Sequence, residues 1–153
     1  MNYQLSTIYL GADHAGYEAK EALKSFLAEQ GHTVDDLGAT KLDPDDDYPQ
    51  FAHAVAEKVA ADPDSRGILL CGNGQGVCIA ANKVAGIRAI SSWNPEHAKT
   101  TRTDDDANVL CLAARHLDQA TIEAIVTTWL ATPFSNEPRH VRRIQAIDDA
   151  EQR

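Results

Sequence analysis

A cysteine followed at once by a glycine-rich loop is the part of this sequence best suited to chemistry. The stretch GILLCGNGQG begins at Gly67, and it places Cys71 between an unbroken apolar run and three glycines at alternate positions. Glycine lets the backbone approach a ligand closely, and successive N–H groups ahead of a helix can bind an anion. A thiolate is also favoured electrostatically at such a position. The segment predicts a reactive thiol beside backbone donors, with a tight strand-to-helix turn as the alternative.

The other two cysteines, Cys78 and Cys111, are predicted to be small, inert core residues. Three cysteines without a CxxC pair predict neither a disulfide framework nor a zinc site, and they fit a reducing, cytoplasmic setting. The acidic loop DPDDDYP, which begins at Asp43, superficially resembles a calcium loop. It lacks the glycine and the final glutamate that a calcium loop needs, so we expect a solvated loop.

Two further groups of polar residues have types and spacing suited to a ligand site. Asp13 and His14 are adjacent in GADHAG, where one side chain can face a pocket while the other orients it. A helix cap is the alternative use of such a pair. Near the C-terminus, Arg139 and Arg143 are four residues apart and share one face of a helix. Their guanidinium groups suit phosphate binding, although a solvated helix face has the same composition.

The elements that must position these residues alternate between short apolar strands and helices. The predicted strands cover residues 7–12, 33–38, 67–71, 86–91 and 108–113. The first three predicted helices cover residues 17–30, 48–61 and 75–83. A fourth helix is predicted to begin after Asn94, a fifth has its apolar face at residues 122–130, and a last one begins at Pro138. This alternation predicts an α/β domain with a parallel sheet covered on both faces. Ligands bind at the carboxyl ends of such strands, so the loops after strands one and three are expected to form the site.

Length and composition exclude several classes of function. The 153 residues fit one domain, and no run approaches the roughly 18 apolar residues of a membrane helix. The N-terminal residues lack the basic and apolar segments of a signal peptide, so none is expected. A formal net charge of −9 argues against nucleic acid and anionic membranes as partners. A small anionic ligand remains compatible, because arginine is concentrated late in the chain.

Together these segments resemble the type B ribose-5-phosphate isomerases and the galactose-6-phosphate isomerase subunits. The matching segments follow the family's order and spacing over nearly the whole chain: LGADHAGYEAK, DDDYP, GILLCGNGQG, IAANKVAGIRA, NVL and RHVRRI. The resemblance implies a Rossmann-like, three-layer domain over residues 1–153, with a five-stranded parallel sheet and a helical tail, 138–153, that packs on a partner subunit. It further implies a homodimer or dimer of dimers, no metal or other cofactor, and an active site shared between subunits.

The resemblance also implies an activity, the aldose–ketose isomerisation of a sugar phosphate. The aldose and ketose it implies are ribose 5-phosphate and ribulose 5-phosphate of the pentose phosphate pathway. Cys71 takes the role of the base that moves a proton between C1 and C2 through an enediolate. Other members carry a glutamate at the position of Val77 instead. Asn73 and the backbone donors of the glycine loop would stabilise the enediolate; the loop residues are Gly72, Gly74, Gln75 and Gly76. The implied phosphate ligands are His14, Arg115, Arg139 and Arg143, and the implied sugar contacts are Asp13, Tyr48 and Asn82.

The chain departs from the family where a histidine opens the furanose ring. Asp104 stands at that position and Asp105, a further candidate for substrate binding, follows it. An aspartate can act as a base, but with an unperturbed pKa near ~3.9 it is a poor acid at neutral pH. His97 lies about two helical turns away.

Other substrates and other classes of function are therefore alternatives. A tetrose 4-phosphate, such as erythrulose 4-phosphate, cannot close a furanose and so needs no ring opening. A pentose or hexose phosphate could instead enter in its open-chain form. A non-catalytic sugar-phosphate binding module is an alternative of another class, although it would have no use for Cys71. A flavin or nucleotide binder would share the sheet but lacks a matching fingerprint here.

Overall fold

Five parallel strands form the sheet in a computed structural model that describes residues 5–152. Their order across the sheet is β2-β1-β3-β5-β4. The strands are β1 (Ile8–Ala12), β2 (Val34–Asp36), β3 (Arg66–Cys71), β4 (Ala89–Ser91) and β5 (Val109–Ala113). The helices are α1 (Tyr17–Glu29), α2 (Tyr48–Ala61), α3 (Gln75–Ala81), α4 (Pro95–Asp105), α5 (Gln119–Ala131) and α6 (Pro138–Glu151). The predicted α/β fold with a five-stranded parallel sheet is confirmed; residues 1–4 and 153 of the predicted domain lie outside the described residues.

Helices cover both faces of the sheet, which explains the unbroken apolar run of β3. Ile68 and Leu70 belong to the core shared with α1, α4 and α5, whereas Leu69 and Cys71 belong to the core shared with α2 and α3. Successive side chains of a strand point to opposite faces, so a strand covered on both sides must be apolar throughout. Cys71 therefore lies on the side of the sheet that α2 and α3 cover.

The order of the strands creates a crevice at the carboxyl edge of the sheet. β1 and β3 are neighbours, and the helices that follow them, α1 and α3, pack on opposite faces. Their loops therefore diverge, which is the arrangement in which α/β sheets bind ligands. In this register Ala12 pairs with Leu70, and Cys71 pairs with Ala113. The residues that follow β1, β3 and β5 consequently meet at one edge.

Local sequence signals fix the start of α4. Asn94 accepts the N–H of His97 at 2.8 Å ahead of Pro95, as the predicted N-cap requires.

β4 is shorter than predicted, and the residues before it are bound by Asn108 through both its side chain and its own N–H, which donates to the carbonyl of Arg88 at 3.1 Å. Asn108 accepts the N–H of Arg88 at 2.8 Å and donates to the carbonyl of Gly86 at 2.9 Å.

A buried ion-pair network joins α1 to β2. Lys20 is 0% exposed, and its Nζ lies 2.6 Å from Asp36 and 2.9 Å from Glu21. Lys24 lies 2.9 Å from the same Asp36 oxygen. Burial raises the pKa of Asp36, but the hydrogen bonds from Lys20, Lys24 and the N–H of Gly38 outweigh it and lower the pKa below its usual value. Asp36 therefore stabilises the fold in its charged form.

We expect Asp36→Asn to lower the free energy of unfolding at pH 7 by about 3 kcal/mol. This value is at the low end of the range for a broken buried ion pair, because Glu21 still contacts Lys20 in the variant. A depressed folded pKa contributes stability above the unfolded value of about 3.9, and this stability is lost as the pH falls through the folded pKa. The difference from wild type should therefore shrink below about pH 4. Urea unfolding measures it, with Asp35→Asn, an exposed neighbour, as control. Equal stability of the two variants at pH 7 would contradict the expectation.

Candidate active site

A cavity of about 300 Å³ lies at the carboxyl edge, where the loops after β1, β3 and β5 meet. Its lining residues are Asp13, His14, Ala15, Tyr48, Cys71, Gly72, Asn73, Arg115 and His116. A larger cavity, about 480 Å³, lies at the opposite edge, but the side chains lining it include no thiol, hydroxyl or imidazole. Only the first of these two cavities therefore brings a nucleophile together with cationic side chains.

Cys71 is held at the floor of this cavity by its place in the sheet. It is the last residue of β3 and is 3% exposed, and its carbonyl accepts the N–H of Ala114 at 2.9 Å. Its Sγ lies 3.8 Å from Oδ1 of Asn73. That same oxygen accepts the N–H of Gln75 at 3.0 Å, so Asn73 shapes the turn as well as contacting the thiol. The thiol thus points into the cavity from a rigid strand end.

Two of the loop glycines are required by close contacts. Gly74 has a φ of 74°, and a Cβ there would lie 2.9 Å from the backbone nitrogen of Ala113. A Cβ on Gly76 would lie 2.5 Å from the ring of Tyr48, so this ring rests directly on the loop. Gln75, a predicted member of the oxyanion loop, directs its groups elsewhere. Its N–H donates to Oδ1 of Asn73, and its side-chain amide lies 3.2 Å from the hydroxyl of Ser91.

Asp13 and His14 have different surroundings. Asp13 is buried, and its Oδ1 accepts the N–H groups of Ala15 and Gly16 at 3.0 and 3.2 Å, which stabilises the turn before α1; the N-cap of α1 is Gly16, without a side-chain cap. His14 lies beside it on the cavity wall, with Nδ1 2.8 Å from Oδ1 of Asp46. The hydrogen bond to Asp46 is the main reason that the pKa of His14 is raised, and the charge of Asp13 adds to it.

The ligand-type atoms of Asp13, His14 and Asp46 lie within 4.8 Å of one another, a spacing that a metal ion could also use. A carboxylate can only accept, so the 2.8 Å contact requires Nδ1 of His14 to carry a hydrogen toward Asp46. The hydrogen bonds of this cluster therefore account for its geometry, and we assign no metal to it.

A second group of predicted residues lies at the opposite edge of the sheet. Asp104 and Asp105 are in the last turn of α4, which leads into the amino end of β5, whereas the cavity lies beyond its carboxyl end. A five-residue strand spans about 16 Å. Helix α6 is attached to the same corner, because the N–H of Ser135 donates to Thr103 at 3.2 Å and His140 lies 3.9 Å from Asp104. α6 carries Arg139 and Arg143.

The side chains at this corner have distinct surroundings. Asp104 is half-exposed, and the buried His140 holds its Nδ1 3.0 Å from the hydroxyl of Ser135. Burial, and then the charge of Asp104, raise the pKa of Asp105. Arg139 pairs through Nε with Glu137 at 2.9 Å. The corner thus presents two carboxyl groups and the start of α6, the helix that carries the arginines, at a distance from Cys71 of the same chain.

Asn82 and His97 lie outside the cavity. The side-chain amide of Asn82 donates to the carbonyl of Ala89 at 2.9 Å and accepts its N–H at 2.8 Å. These bonds connect the end of α3 to the start of β4, and the sugar contact of Asn82 stays a prediction. His97 lies 3.0 Å from the hydroxyl of Ser92 and stacks on Trp93 at 3.9 Å.

Three residues of these two regions were not singled out from the sequence. Asp46 was one of four similar acids in a loop, His116 follows Arg115 without a motif of its own, and His140 lies one residue off the arginine face. None has a spacing that signals its contacts. Their roles follow only from the fold.

The sheet, its crevice and the thiol facing cationic side chains define an α/β protein with a site for a small anionic ligand. Comparison with known proteins specifies the class. The chain belongs to the ribose/galactose isomerase family, whose sequence profile matches residues 8–147.

Several members of known name are similar over nearly their whole length. The chain is 44% identical over 144 residues to ribose-5-phosphate isomerase B of Mycolicibacterium paratuberculosis, covering 94% of this chain and 91% of the relative. It is 39% identical to the Escherichia coli protein of that name, covering 97% and 99%. The structure superposes on ribose-5-phosphate isomerase B from Mycoplasma genitalium with bound ribulose-5-phosphate, with a TM-score of 0.93, 40% identity, and coverage of 97% and 99%. The predicted family and enzyme class, an aldose–ketose isomerase, are confirmed.

Proposed function

We propose that this enzyme interconverts ribose 5-phosphate and ribulose 5-phosphate, with Cys71 as the base. One observation carries the proposal: the thiol at the end of β3 shares a cavity of about 300 Å³ with His14 and Arg115, beside a glycine loop. The relative from Mycoplasma genitalium, similar over 97% of this chain, binds ribulose-5-phosphate. The cavity combines a proton acceptor with groups that suit a phosphate.

The chemistry follows from these positions. The thiolate of Cys71 removes the proton from C2 of the open-chain aldose, the C1–C2 double bond forms, and the aldehyde oxygen becomes the oxyanion of an enediolate. Return of the proton to C1, with a proton shift from O2 to O1, gives the ketose. In this proposal the backbone N–H groups of Gly72, Gly74 and Gly76 stabilise the oxyanion, an interaction typically worth about 3–4 kcal/mol per donor. No metal or other cofactor is part of this proposal.

The proposed active unit is a homodimer in which each site uses both chains. The predicted residues lie at opposite edges of one sheet, so Arg139, Arg143, Asp104 and Asp105 can join Cys71 only from a second copy. Helix α6 supports this arrangement, because His140 is its one buried residue among those described. Val141 and Ile147 are 46% and 53% exposed on the same helix. We infer that the tail packs on the partner, as a dimer or within a dimer of dimers.

The cytoplasm is the proposed location. All three cysteines are free, and a thiol base must stay reduced. None of the helices within residues 5–152 has the length and apolar character needed to cross a bilayer.

A second candidate substrate is favoured by the replacement of the ring-opening histidine. Asp104 is half-exposed, and the buried imidazole of His140 lies 3.9 Å from its carboxylate. A tetrose 4-phosphate would use the same base and phosphate ligands without ring opening. For the pentose, Asp105 is a candidate proton donor, because its partial burial and the charge of Asp104 raise its pKa.

The test is the steady-state rate of the wild-type enzyme on ribose 5-phosphate and on erythrulose 4-phosphate. We expect turnover of ribose 5-phosphate with the larger kcat/KM. Turnover of the tetrose alone would replace the pentose assignment with the second candidate. Binding of both esters without turnover of either would contradict an isomerase of these substrates and indicate a binding module.

A further inference from the structure

One carboxylate of the acidic loop turns inward and stands behind the wall of the active-site cavity. The side chain of Asp46 is 5% exposed. Its Oδ1 accepts two hydrogen bonds from His14, from Nδ1 at 2.8 Å and from the backbone N–H at 2.9 Å. Both the ring and the backbone of this one histidine are therefore fixed by a single oxygen.

The neighbouring acids of the loop make no such contact. Asp43 accepts the N–H of Asp45 at 3.0 Å, within the loop itself. Asp45 and Asp47 are exposed. Asp46 differs from them because its chain position, two residues before α2 and Tyr48, brings it against the loop that follows β1.

The second oxygen of Asp46 strengthens the interaction with His14. Oδ2 is buried and has no hydrogen-bond partner within residues 5–152. A buried carboxylate that is incompletely hydrogen-bonded needs a counter-charge, and the imidazolium of His14 is the cation in contact with it. The same pair leaves Nε2 of His14 as the ring nitrogen available to a ligand in the cavity.

We propose that Asp46 is a positioning residue for the phosphate group of the substrate: it anchors the ring of His14 and holds Nε2–H toward the cavity beside Arg115. This inference rests on the proposed function, since a sugar phosphate is the ligand it concerns. It adds a carboxylate, which itself does not touch the phosphate, to the set of groups that determine phosphate affinity.

The charges around His14 set the sign of the pH dependence. The hydrogen bond to Asp46 and the charges of Asp46 and Asp13 raise the pKa of His14, whereas its partial burial and the charge of Arg115 lower it. Tyr48, Cys71 and His116 line the same cavity. Because the net shift is upward, the protonated ring persists to higher pH than a free histidine. Phosphate affinity should fall as the pH rises through this raised pKa.

Asp46→Asn tests the proposal by NMR titration of the His14 imidazole, with and without inorganic phosphate. We expect the pKa of His14 to fall and the phosphate-induced shift of its ring signals to weaken. At a pH between the His14 pKa values measured for the variant and for the wild type, KM for ribose 5-phosphate should be about ten-fold higher in the variant, the loss expected when a charge-assisted hydrogen bond is impaired, with little change in kcat. The rise of KM with pH should begin at lower pH than in the wild type.

Asp45→Asn is the matched control, because it removes the same charge from the adjacent, exposed position. It should leave the His14 titration and KM close to wild type. An unchanged His14 pKa and unchanged phosphate binding in Asp46→Asn would refute the proposal, as would a loss of kcat with KM unaltered. The NMR readout needs no turnover, so it separates this inference from a failure of the isomerase assignment.

Discussion

Alanine in place of Cys71 is expected to reduce kcat for ribose 5-phosphate by about 10²–10⁴-fold, the usual contribution of a positioned general base. This corresponds to about 3–5 kcal/mol of activation free energy. In the proposed mechanism the thiol is the proton acceptor, and it lies at the end of β3, next to Asn73 and the glycine loop. KM should change little, because the phosphate ligands remain in place.

The measurement is a steady-state comparison of Cys71→Ala with wild type at several pH values, after circular dichroism has shown equal folding. Cys78→Ala is the control: Cys78 is a buried thiol of α3, with Sγ 3.3 Å from the carbonyl of Ala89 and no place in the cavity lining. Its kcat should stay near wild type. Substantial turnover by Cys71→Ala would mean that another group is the base.

Loss of the α6 arginines is the second large effect that we expect. Arg139→Ala and Arg143→Ala should each raise KM for ribose 5-phosphate by about 10–100-fold, because a charge-assisted hydrogen bond to phosphate contributes about 1.5–3 kcal/mol. In the structure Arg139 forms an exposed ion pair with Glu137. Breaking this pair so that Arg139 can bind a phosphate costs little free energy, because exposed ion pairs are weak.

Arg142→Ala is the matched control for these variants, since it removes the same charge from a different face of α6. It should leave KM near wild type if the dimer is intact, which analytical ultracentrifugation reports. Equal effects of all three substitutions would indicate a general loss of positive charge and would count against specific phosphate contacts.

Much of the fold was predictable because its signals are local. The continuous apolar run of β3 predicted a strand covered on both faces, and Asn94 with Pro95 predicted the start of α4. The glycines also indicated a tight strand-to-helix turn as one of two uses, and Gly74 and Gly76 make close contacts with β5 and Tyr48 in that turn. These features depend on a few neighbouring residues.

The remainder depends on contacts between distant segments, which periodicity does not encode. The sequence could not tell which acid of the loop would turn inward to His14, since Asp46 and its neighbours have the same chemistry. Nor could it show that Asn82 would bind the backbone of Ala89 seven residues later.

Mixed dimers test the central claim most directly, that Cys71 of one chain works with the arginines of another. Cys71→Ala and the double variant Arg139→Ala, Arg143→Ala are each expected to be nearly inactive at low substrate. Random pairing makes half of the dimers mixed, and each mixed dimer regains one intact site, so about a quarter of wild-type activity should return on co-expression. Absence of recovery in dimers shown to be mixed would contradict the shared site.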